Sequence, residues 1–313
     1  MVRADRHRVV LMLTVGQERA PQTEINTGSQ IRAMVFTADG EFLVTGDKEA
    51  VRAWRLEDNQ LIGTMKAKDV RSIAVSKDNR WIAAGKSWGE TTVWDSRQAF
   101  KEVFTHEDNS HTVTSVDFSP DSTRLVTASG SRAALVWDVA AHKVVVGPLE
   151  HQYWVIAAKF SPQGDRIATA TSLRDSVRVY NSLNGSLLAD IPAKVTPYYN
   201  TGLLWPAGER IFIVSDNTIK QINVSTKSVV PEWSVLADSN YSCIVSSKSG
   251  ESIIYSAGCT VMLCDSSTRT PPPLIELAQD AHSIALSPNS QLLAIGGGDG
   301  KISLKSTGIP AAP

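Results

Sequence analysis

The stretch VTSVDFSPDSTRLVTASGSRAALVWD, residues 113–138, decides the fold. It contains three short runs in which apolar and polar residues alternate, with Val and Thr prominent, and it is interrupted by the turn-forming cluster Ser119-Pro120-Asp121. Alternation with a period of two is typical of a strand that buries one face, and clusters of Ser, Pro and Asp favour turns. The stretch therefore predicts three consecutive short strands.

The same order of runs returns along the chain. Clear copies occupy Ile31–Trp54, Val70–Asp95 and Val155–Asn181, and more divergent copies occupy Gly202–Asn223, Tyr241–Asp265 and Ala281–Lys305. The third run closes at Trp54, Trp94, Trp137, Tyr180, Ile222, Cys264 and Lys305, with spacings of 40, 43, 43, 42, 42 and 41 residues. A repeat of about 40 to 45 residues is that of a four-stranded propeller blade. Seven copies predict an all-β ring of seven blades that stack on one another.

These repeats resemble the WD40-repeat family, strongly in the first four copies and weakly in the last three. Phrases such as Ser72-Ile-Ala-Val-Ser and Trp81-Ile-Ala-Ala-Gly are similar to those of fungal WD40 propellers. The resemblance implies a WD40-type propeller whose last blade is completed by an N-terminal strand. Pro21–Ile25 is favoured for that strand by its spacing and Val9–Leu13 by its apolar content. We expect residues 1–20 to be an extension or the closing strand, 21–306 the propeller and 307–313 a tail.

The resemblance also implies a set of structural residues. Blades of the family are often joined by a buried hydrogen-bond network of His, Ser or Thr, Asp and Trp. In this sequence the matching positions are Trp54, Trp94, Trp137 and Tyr180 for the Trp, His151 for the His, and Asp216 and Asp299 for the Asp. Because the network is sparse, we expect apolar packing to hold most blades.

The composition restricts the classes of partner. The chain has 313 residues, with 31 Lys and Arg against 32 Asp and Glu, and it contains no long basic run, so nucleic acid is not an expected partner. No apolar segment approaches the roughly 18 residues of a membrane helix, so no membrane association is expected. The cysteines Cys243, Cys259 and Cys264 do not form a disulfide framework, which indicates a reducing compartment, cytoplasmic or nuclear.

Two short motifs suggest chemistry and are better explained as turns. Gly85–Gly89 fits the G-x-S-x-G pattern of a hydrolase nucleophile, but it lies between two predicted strands instead of a strand and a helix. Gly296–Gly300 lacks the Lys-Ser/Thr and the helix of a phosphate-binding loop. We expect no enzyme activity, no metal and no cofactor. The alternative is a propeller enzyme or small-ligand binder that uses the central channel, which requires convergent ionisable groups at its mouth.

Large aromatic residues and arginines are concentrated in connections that share one face of such a ring. They are Trp88, Arg132, Tyr153, Trp154, Arg174, Tyr198 and Tyr199. Trp, Tyr and Arg dominate interface hot spots because they bury a large area and keep a polar group. The sequence therefore predicts a noncatalytic scaffold that binds a protein or peptide on the face spanning blades two to five, as a monomer or within a larger complex. The alternative is that these rings pack between blades.

Overall fold

The computed structural model describes residues 24–107, 111–172, 176–193, 202–215, 218–230, 233–234, 243–265 and 273–309. These residues form seven antiparallel sheets, and the innermost strands of all seven line one central channel. The only helical element in the described ranges is a single 3-10 turn at Ser96–Gln98. The predicted all-β, seven-bladed propeller is confirmed.

Blades one to four each contain four strands in the order of the chain, from the channel outward. The first strand of the chain, β1 (Glu24–Asn26), precedes them. Blade one contains Ala33–Phe36 (β2), Phe42–Gly46 (β3), Ala50–Arg55 (β4) and Leu61–Lys66 (β5). Blade two contains Val70–Val75 (β6), Trp81–Lys86 (β7), Glu90–Asp95 (β8) and Lys101–Glu107 (β9). Blade three contains Val113–Phe118 (β10), Arg124–Ser129 (β11), Ala133–Asp138 (β12) and Lys143–Glu150 (β13). Blade four contains Val155–Phe160 (β14), Arg166–Thr171 (β15), Ser176–Asn181 (β16) and Leu187–Pro192 (β17).

Blades five to seven follow the same plan with shorter outer strands. Blade five contains Leu203–Ala207 (β18), Arg210–Ser215 (β19), Thr218–Asn223 (β20), Ser228–Val229 (β21) and Trp233–Ser234 (β22). Blade six contains Ile244–Ser246 (β23), Ser252–Ala257 (β24), Thr260–Asp265 (β25) and Pro273–Glu276 (β26). Blade seven contains Ala281–Leu286 (β27), Leu292–Gly297 (β28) and Lys301–Ser306 (β29), and it takes its outer strand from β1.

The residues that closed each repeat in the sequence occupy one equivalent position in the sheets. Each pairs with the second residue of the neighbouring strand, which is always a buried Leu or Ile. The partners, from blade one to blade seven, are Leu43, Ile82, Leu125, Ile167, Ile211, Ile253 and Leu293. The spacing of about 42 residues therefore reflects one repeated register, in which the third strand covers the same buried aliphatic residue of the second.

The apolar cores lie between blades. One cluster joins Ala168 and Val179 of blade four to Leu203, Trp205 and Ile211 of blade five, and six comparable clusters occupy the other junctions between neighbouring blades. A single four-stranded sheet would expose both faces, so each blade depends on its neighbours for burial. The ring is thus a continuous stack.

The ring closes through β1, which pairs with β29 at the outer edge of blade seven. Ile25 lies opposite Ile302 and both are buried, while the backbone N of Thr27 donates to the carbonyl of Gly300 at 2.9 Å. This strand overlaps the candidate Pro21–Ile25, whereas the candidate Val9–Leu13 lies outside the described residues. Gly300 has φ +80, and a Cβ there would lie 2.7 Å from the backbone N of Ser29. The close approach of the closing segment thus explains a glycine in the Gly296–Gly300 turn.

One bond of the predicted network, from a Trp indole to a Thr hydroxyl, occurs in blades one and three. The Nε1 of Trp54 donates to Thr45 Oγ1 and the Nε1 of Trp137 donates to Thr127 Oγ1, each at 3.0 Å. Trp94 is also buried, but Ala84 stands where a threonine would receive its indole N–H. Apolar packing therefore takes over at that position of blade two.

Blade six has a contact equivalent to that between Thr45 and Trp54 of blade one, but its large residue lies on the second strand and its small residue on the third. Tyr255 occupies the position of Thr45, and Cys264 occupies that of Trp54, and both are fully buried. Burial, together with the contact between its hydroxyl and the Cys264 thiol, raises the pKa of Tyr255 above its ordinary value. A tyrosine on the second strand thus fills the volume that a tryptophan on the third strand fills in blade one.

One of the two predicted turn carboxylates lies among the described residues. Asp216 lies outside the described residues, and the Asp299 carboxylate accepts the backbone N–H of Lys301 at 3.0 Å. The count from the Trp position overlooks Asp47, which lies one residue further back. Asp47 is buried, pairs with Arg52, and accepts the backbone N–H of Ala50 at 3.0 Å.

Candidate docking face

Three connections on one end of blades two to four present the predicted aromatic and arginine residues. Trp88 lies in the turn between β7 and β8 and is 71% exposed, and Trp154 precedes β14 and is 50% exposed. Arg132 lies in the turn between β11 and β12 and is exposed, whereas Tyr153 is half-buried. We define the docking face as Trp88, His111, Arg132, Tyr153 and Trp154.

The turn that presents Trp88 is fixed through the preceding residue, Ser87. The N–H of Ser87 donates to the carbonyl of Asp69 at 2.9 Å, and its hydroxyl donates to the same carbonyl at 3.1 Å. The Nε of Arg71 donates to the Ser87 hydroxyl at 2.7 Å, and Thr112 Oγ1 donates to the Ser87 carbonyl at 2.8 Å. The serine of the G-x-S-x-G motif therefore holds a turn, and its proton is directed at a backbone carbonyl.

The face is continuous across blades two, three and four. Thr112, which bonds to the Trp88 turn, also accepts the backbone N–H of Gly130 at 2.9 Å through its carbonyl. A methyl group added to Gly130 would lie 3.5 Å from Cβ of His111 and 3.7 Å from Cδ2 of Trp154. His111 and Trp154 thus lie over Gly130, which is buried.

His151 anchors the connection that precedes Trp154. Its backbone N–H donates to the carbonyl of Arg132 at 2.8 Å, and its Nε2 lies 3.1 Å from Thr169 Oγ1 and 3.3 Å from the Tyr180 hydroxyl. Burial, with a smaller effect from the positive charge of Arg178, lowers the pKa of His151 from 6.5 to about 4. The imidazole is therefore neutral at pH 7 and ties the docking face to the core of blade four.

The described residues add one member to the predicted face and leave three predicted members untested. Arg174, Tyr198 and Tyr199 lie outside the described residues, so the extension to blade five stays a prediction. His111 joins the face although it was not among the residues predicted from the sequence. His111 lies two residues before β10, as Tyr153 lies two residues before β14, and this position was the available signal.

The central channel is small and its charged groups are largely paired. It encloses about 270 Å³. The Arg32 guanidinium lies 3.2 Å from an Asp69 oxygen, and the Lys159 ammonium lies 2.8 Å from an Asp117 oxygen. In the described ranges, no group of three or more His, Cys, Asp or Glu residues is placed to hold a metal ion.

Comparisons with known proteins find similarity to two of the repeats and to one longer protein. A family model described as "WD domain, G-beta repeat" matches residues 59–95 and 100–138. Each match starts just before the outer strand of one blade and ends with the third strand of the next, so the sequence repeat straddles two blades. "Periodic tryptophan protein 2" of Arabidopsis thaliana is 25% identical over 171 residues, which is 52% of this chain. The matched region spans only 19% of that relative's length. Within the described ranges, no helix has the length and apolar character needed to cross a membrane.

Proposed function

We propose that this WD40-repeat propeller is a noncatalytic platform that binds a protein or peptide partner through the docking face. One observation carries the proposal: Trp88 and Trp154 are the two strongly exposed tryptophans among the side chains that the structure describes, and they lie on hydrogen-bonded connections of blades two and four, with blade three between them. Single exposed apolar residues are ordinary on a surface, but clustered tryptophans beside an arginine have the composition of an interface hot spot.

The exposed area is large enough to contribute to binding. The uncovered parts of two indole side chains amount to about 300 Å², which corresponds to about 7 kcal/mol of gross hydrophobic free energy before the costs of association. The bonds to Ser87, Thr112 and the His151 backbone fix the loops in advance. Binding therefore orders little new backbone, which lowers the entropic cost of association.

The proposal extends to the setting in which the platform works. Cys243, Cys259 and Cys264 are all free thiols. Free cysteines in this pattern favour a reducing intracellular compartment, the cytoplasm or the nucleus. The chain acts there as a monomer or as one component of a larger complex, and Arg174, Tyr198 and Tyr199 extend the binding face to blade five.

The experiment is affinity capture from a lysate of the source organism, followed by mass spectrometry. The wild-type chain is compared with a Trp88→Ala/Trp154→Ala variant and with a matched control, Leu183→Ala/Leu187→Ala. The control removes two leucines that are 74% and 52% exposed on the outer hairpin of blade four, away from the docking face. We expect partners that the wild type and the control retain and the tryptophan variant loses. Identical partners for all three folded proteins would contradict the proposal.

A further inference from the structure

The outer rim of blades three and four carries an exposed aliphatic patch. Of the nine large apolar side chains that are exposed among the described residues, five lie on these two neighbouring blades. They are Val144 and Val145 at the start of β13, Leu183 in the turn after β16, and Leu187 and Leu188 at the start of β17. We define these five residues as the rim patch. Exposed aliphatic residues are ordinary when they are scattered, so their concentration on two blades requires an explanation.

A β-bulge brings two neighbouring aliphatic residues to the surface of each of these blades. In β13 and in β17, the first residue of the pair lies opposite the closing residue of its repeat, and the second is the extra residue of the bulge. At the same position, blade one has the exposed Leu61 followed by the partly buried Ile62, and blade two has Glu102 followed by Val103. Two adjacent exposed aliphatic residues thus occur in blades three and four and not in blades one and two.

The rim patch continues across the junction between its two blades. The turn 182–186 of blade four lies against β13 of blade three, because a Cβ added to Gly185 would lie 3.0 Å from Cγ1 of Val146 and 3.1 Å from Cδ2 of Leu149. Val146 directly follows the two exposed valines, and Leu183 is two residues before Gly185. The turn that presents Leu183 therefore connects the two aliphatic pairs.

The rim patch lies on strand edges that are open and distant from the docking face. In the described part of the chain, β13 and β17 are the last strands of their sheets, so one edge of each has no neighbouring strand. Such edges tend to pair with other chains unless they are charged or covered. The N–H of Ser182 donates to the carbonyl of Asp165 at 2.9 Å, in the turn before β15 and at the end of the ring opposite the docking face. A partner on the rim patch therefore leaves the docking face open.

The area of the rim patch matches what a dimer of this chain needs. The uncovered parts of its five side chains amount to about 450 Å², so two copies together bring about 900 Å². A dimer interface of standard size buries about 1,600 Å², of which roughly 65% is apolar. Two rim patches placed face to face therefore supply most of the apolar area of such an interface.

The charges around the rim patch are compatible with a second copy. Its five side chains are uncharged, so apposed patches bring no like charges together. His142 and Lys143 are exposed and border the patch on the side of blade three only. A twofold axis near Leu183 places blade three of one copy on blade four of the other, so the two Lys143 side chains do not meet.

We propose that the rim patch is an isologous interface at which two copies of this chain associate about a twofold axis near Leu183. Cyclic dimers are the commonest homo-oligomers, and an isologous interface uses the same surface of both subunits. The docking faces of both copies remain open, so the larger complex of the proposed function contains two platforms. Two linked platforms bind a bivalent partner more tightly than one platform does.

The test is sedimentation velocity of the chain at concentrations between about 1 and 100 µM, the range of a weak dimer. We expect the wild-type mass to rise with concentration from 33.9 kDa toward twice that value. Leu183→Asp/Leu187→Asp should stay monomeric, because dimerisation would bury unpaired carboxylates. The matched control is Leu61→Asp, at the equivalent position of blade one, which should associate like the wild type. Thermal melts check that the variants are folded.

Three outcomes of this experiment would overturn the inference. They are a wild type that stays at 33.9 kDa over the whole range, a Leu183→Asp/Leu187→Asp variant that still dimerises, and a loss of association in Leu61→Asp.

The position of the axis is tested by disulfide trapping. Leu183→Cys in a Cys259→Ser background carries one exposed thiol, because Cys243 and Cys264 are buried. A residue near a twofold axis lies close to its own copy, so mild oxidation should link this variant into a covalent dimer. Leu61→Cys in the same background should remain monomeric under the same conditions. Equal yields of covalent dimer from the two variants would overturn the placement of the axis.

The dimer and the docking face can fail separately. Trp88→Ala/Trp154→Ala should dimerise like the wild type, and in the capture experiment Leu183→Ala/Leu187→Ala should lose only copies of the chain itself. If the tryptophan variant is monomeric and the wild type dimeric, the inference is overturned and the docking face is the surface of self-association. If no other protein is captured but Leu183→Asp/Leu187→Asp dissociates the dimer, the proposed function fails and the inference stands.

Discussion

Arg166 of blade four forms a bidentate ion pair with Glu209 of blade five, with Nη1 2.7 Å from Oε2 and Nη2 3.0 Å from Oε1. Arg166 is the first residue of β15, at the end of the ring opposite the docking face. The equivalent residues of blades three and five make the same crossing: Arg124 donates to the carbonyl of Ser182 at 2.7 Å, and Arg210 donates to that of Ser249 at 2.9 Å. One position therefore joins three successive pairs of blades.

This arginine position should contribute measurably to stability. The pair raises the pKa of Arg166 and lowers that of Glu209, so both shifts indicate a favourable contact between charged forms. About a third of each side chain is exposed, so solvent weakens the pair, and a double-mutant cycle of Arg166→Met and Glu209→Gln should give a coupling of roughly 1 kcal/mol. Urea unfolding of the four proteins measures it. A coupling indistinguishable from zero would show that the contact does not hold these blades together.

His151 should make the fold sensitive to mild acid. Its pKa is about 4 in the folded chain and near 6.5 when unfolded, so the unfolded state takes up the proton first as the pH falls. The stability it contributes is fully present above pH 6.5 and is lost on acidification toward pH 4. Between pH 7 and pH 5 the free energy of unfolding should fall by roughly 2 kcal/mol more in the wild type than in His151→Gln. If the free energy of unfolding depended on pH in the same way in both proteins, His151 would not have this role.

The exchanged pair in blade six predicts a compensating double variant. Tyr255→Thr removes a fully buried ring and should cost about 3 kcal/mol, while Cys264→Trp overfills the site and should cost about 1 to 3 kcal/mol. Together they restore the arrangement of Thr45 and Trp54 in blade one. The double variant should therefore be more stable than the sum of the single losses by at least about 1 kcal/mol. Thermal melts of the two single variants and the double variant measure this difference. If the two single losses of stability simply add in the double variant, the pair in blade six is not equivalent to Thr45 and Trp54 of blade one.

Ring closure can be tested with two glycines of similar backbone geometry. Gly28 has φ +77 with no neighbour within 4 Å of a Cβ, whereas Gly300 has φ +80 and the backbone of Ser29 at 2.7 Å. Gly28→Ala should cost about 1 kcal/mol from the backbone conformation alone. Gly300→Ala should cost clearly more, because it also displaces the segment that leads out of the closing strand. Equal melting temperatures for the two variants would mean that the contact between Gly300 and the closing segment does not limit stability.

Much of the architecture was predictable from the sequence for a specific physical reason. The closing residue of every repeat faces a buried Leu or Ile, so register and spacing are linked even where Trp is replaced by Ile222, Cys264 or Lys305. The identity of the residue at the closing position predicted the packing less well than the spacing did. The exchange at Tyr255 and Cys264 conserves a side-chain volume that is shared between two strands, and neither position alone shows that this volume is conserved.

The docking face was predictable only in part. Exposed Trp88 and Trp154 follow from their places in the connections. The bonds around Ser87 and the packing of His111 and Trp154 over Gly130 depend on contacts between blades, which are distant in sequence. Asp47 was overlooked because its turn is offset by one residue from the family pattern.

Hydroxyl-radical footprinting of the propeller, with and without a captured partner, measures directly whether the docking face is covered. We expect the partner to protect Trp88 and Trp154 from oxidation, while the exposed Leu183 and Leu187 on the outer hairpin of blade four react at the same rate in both samples. Equal oxidation of the two tryptophans in the free and bound protein would contradict the docking face.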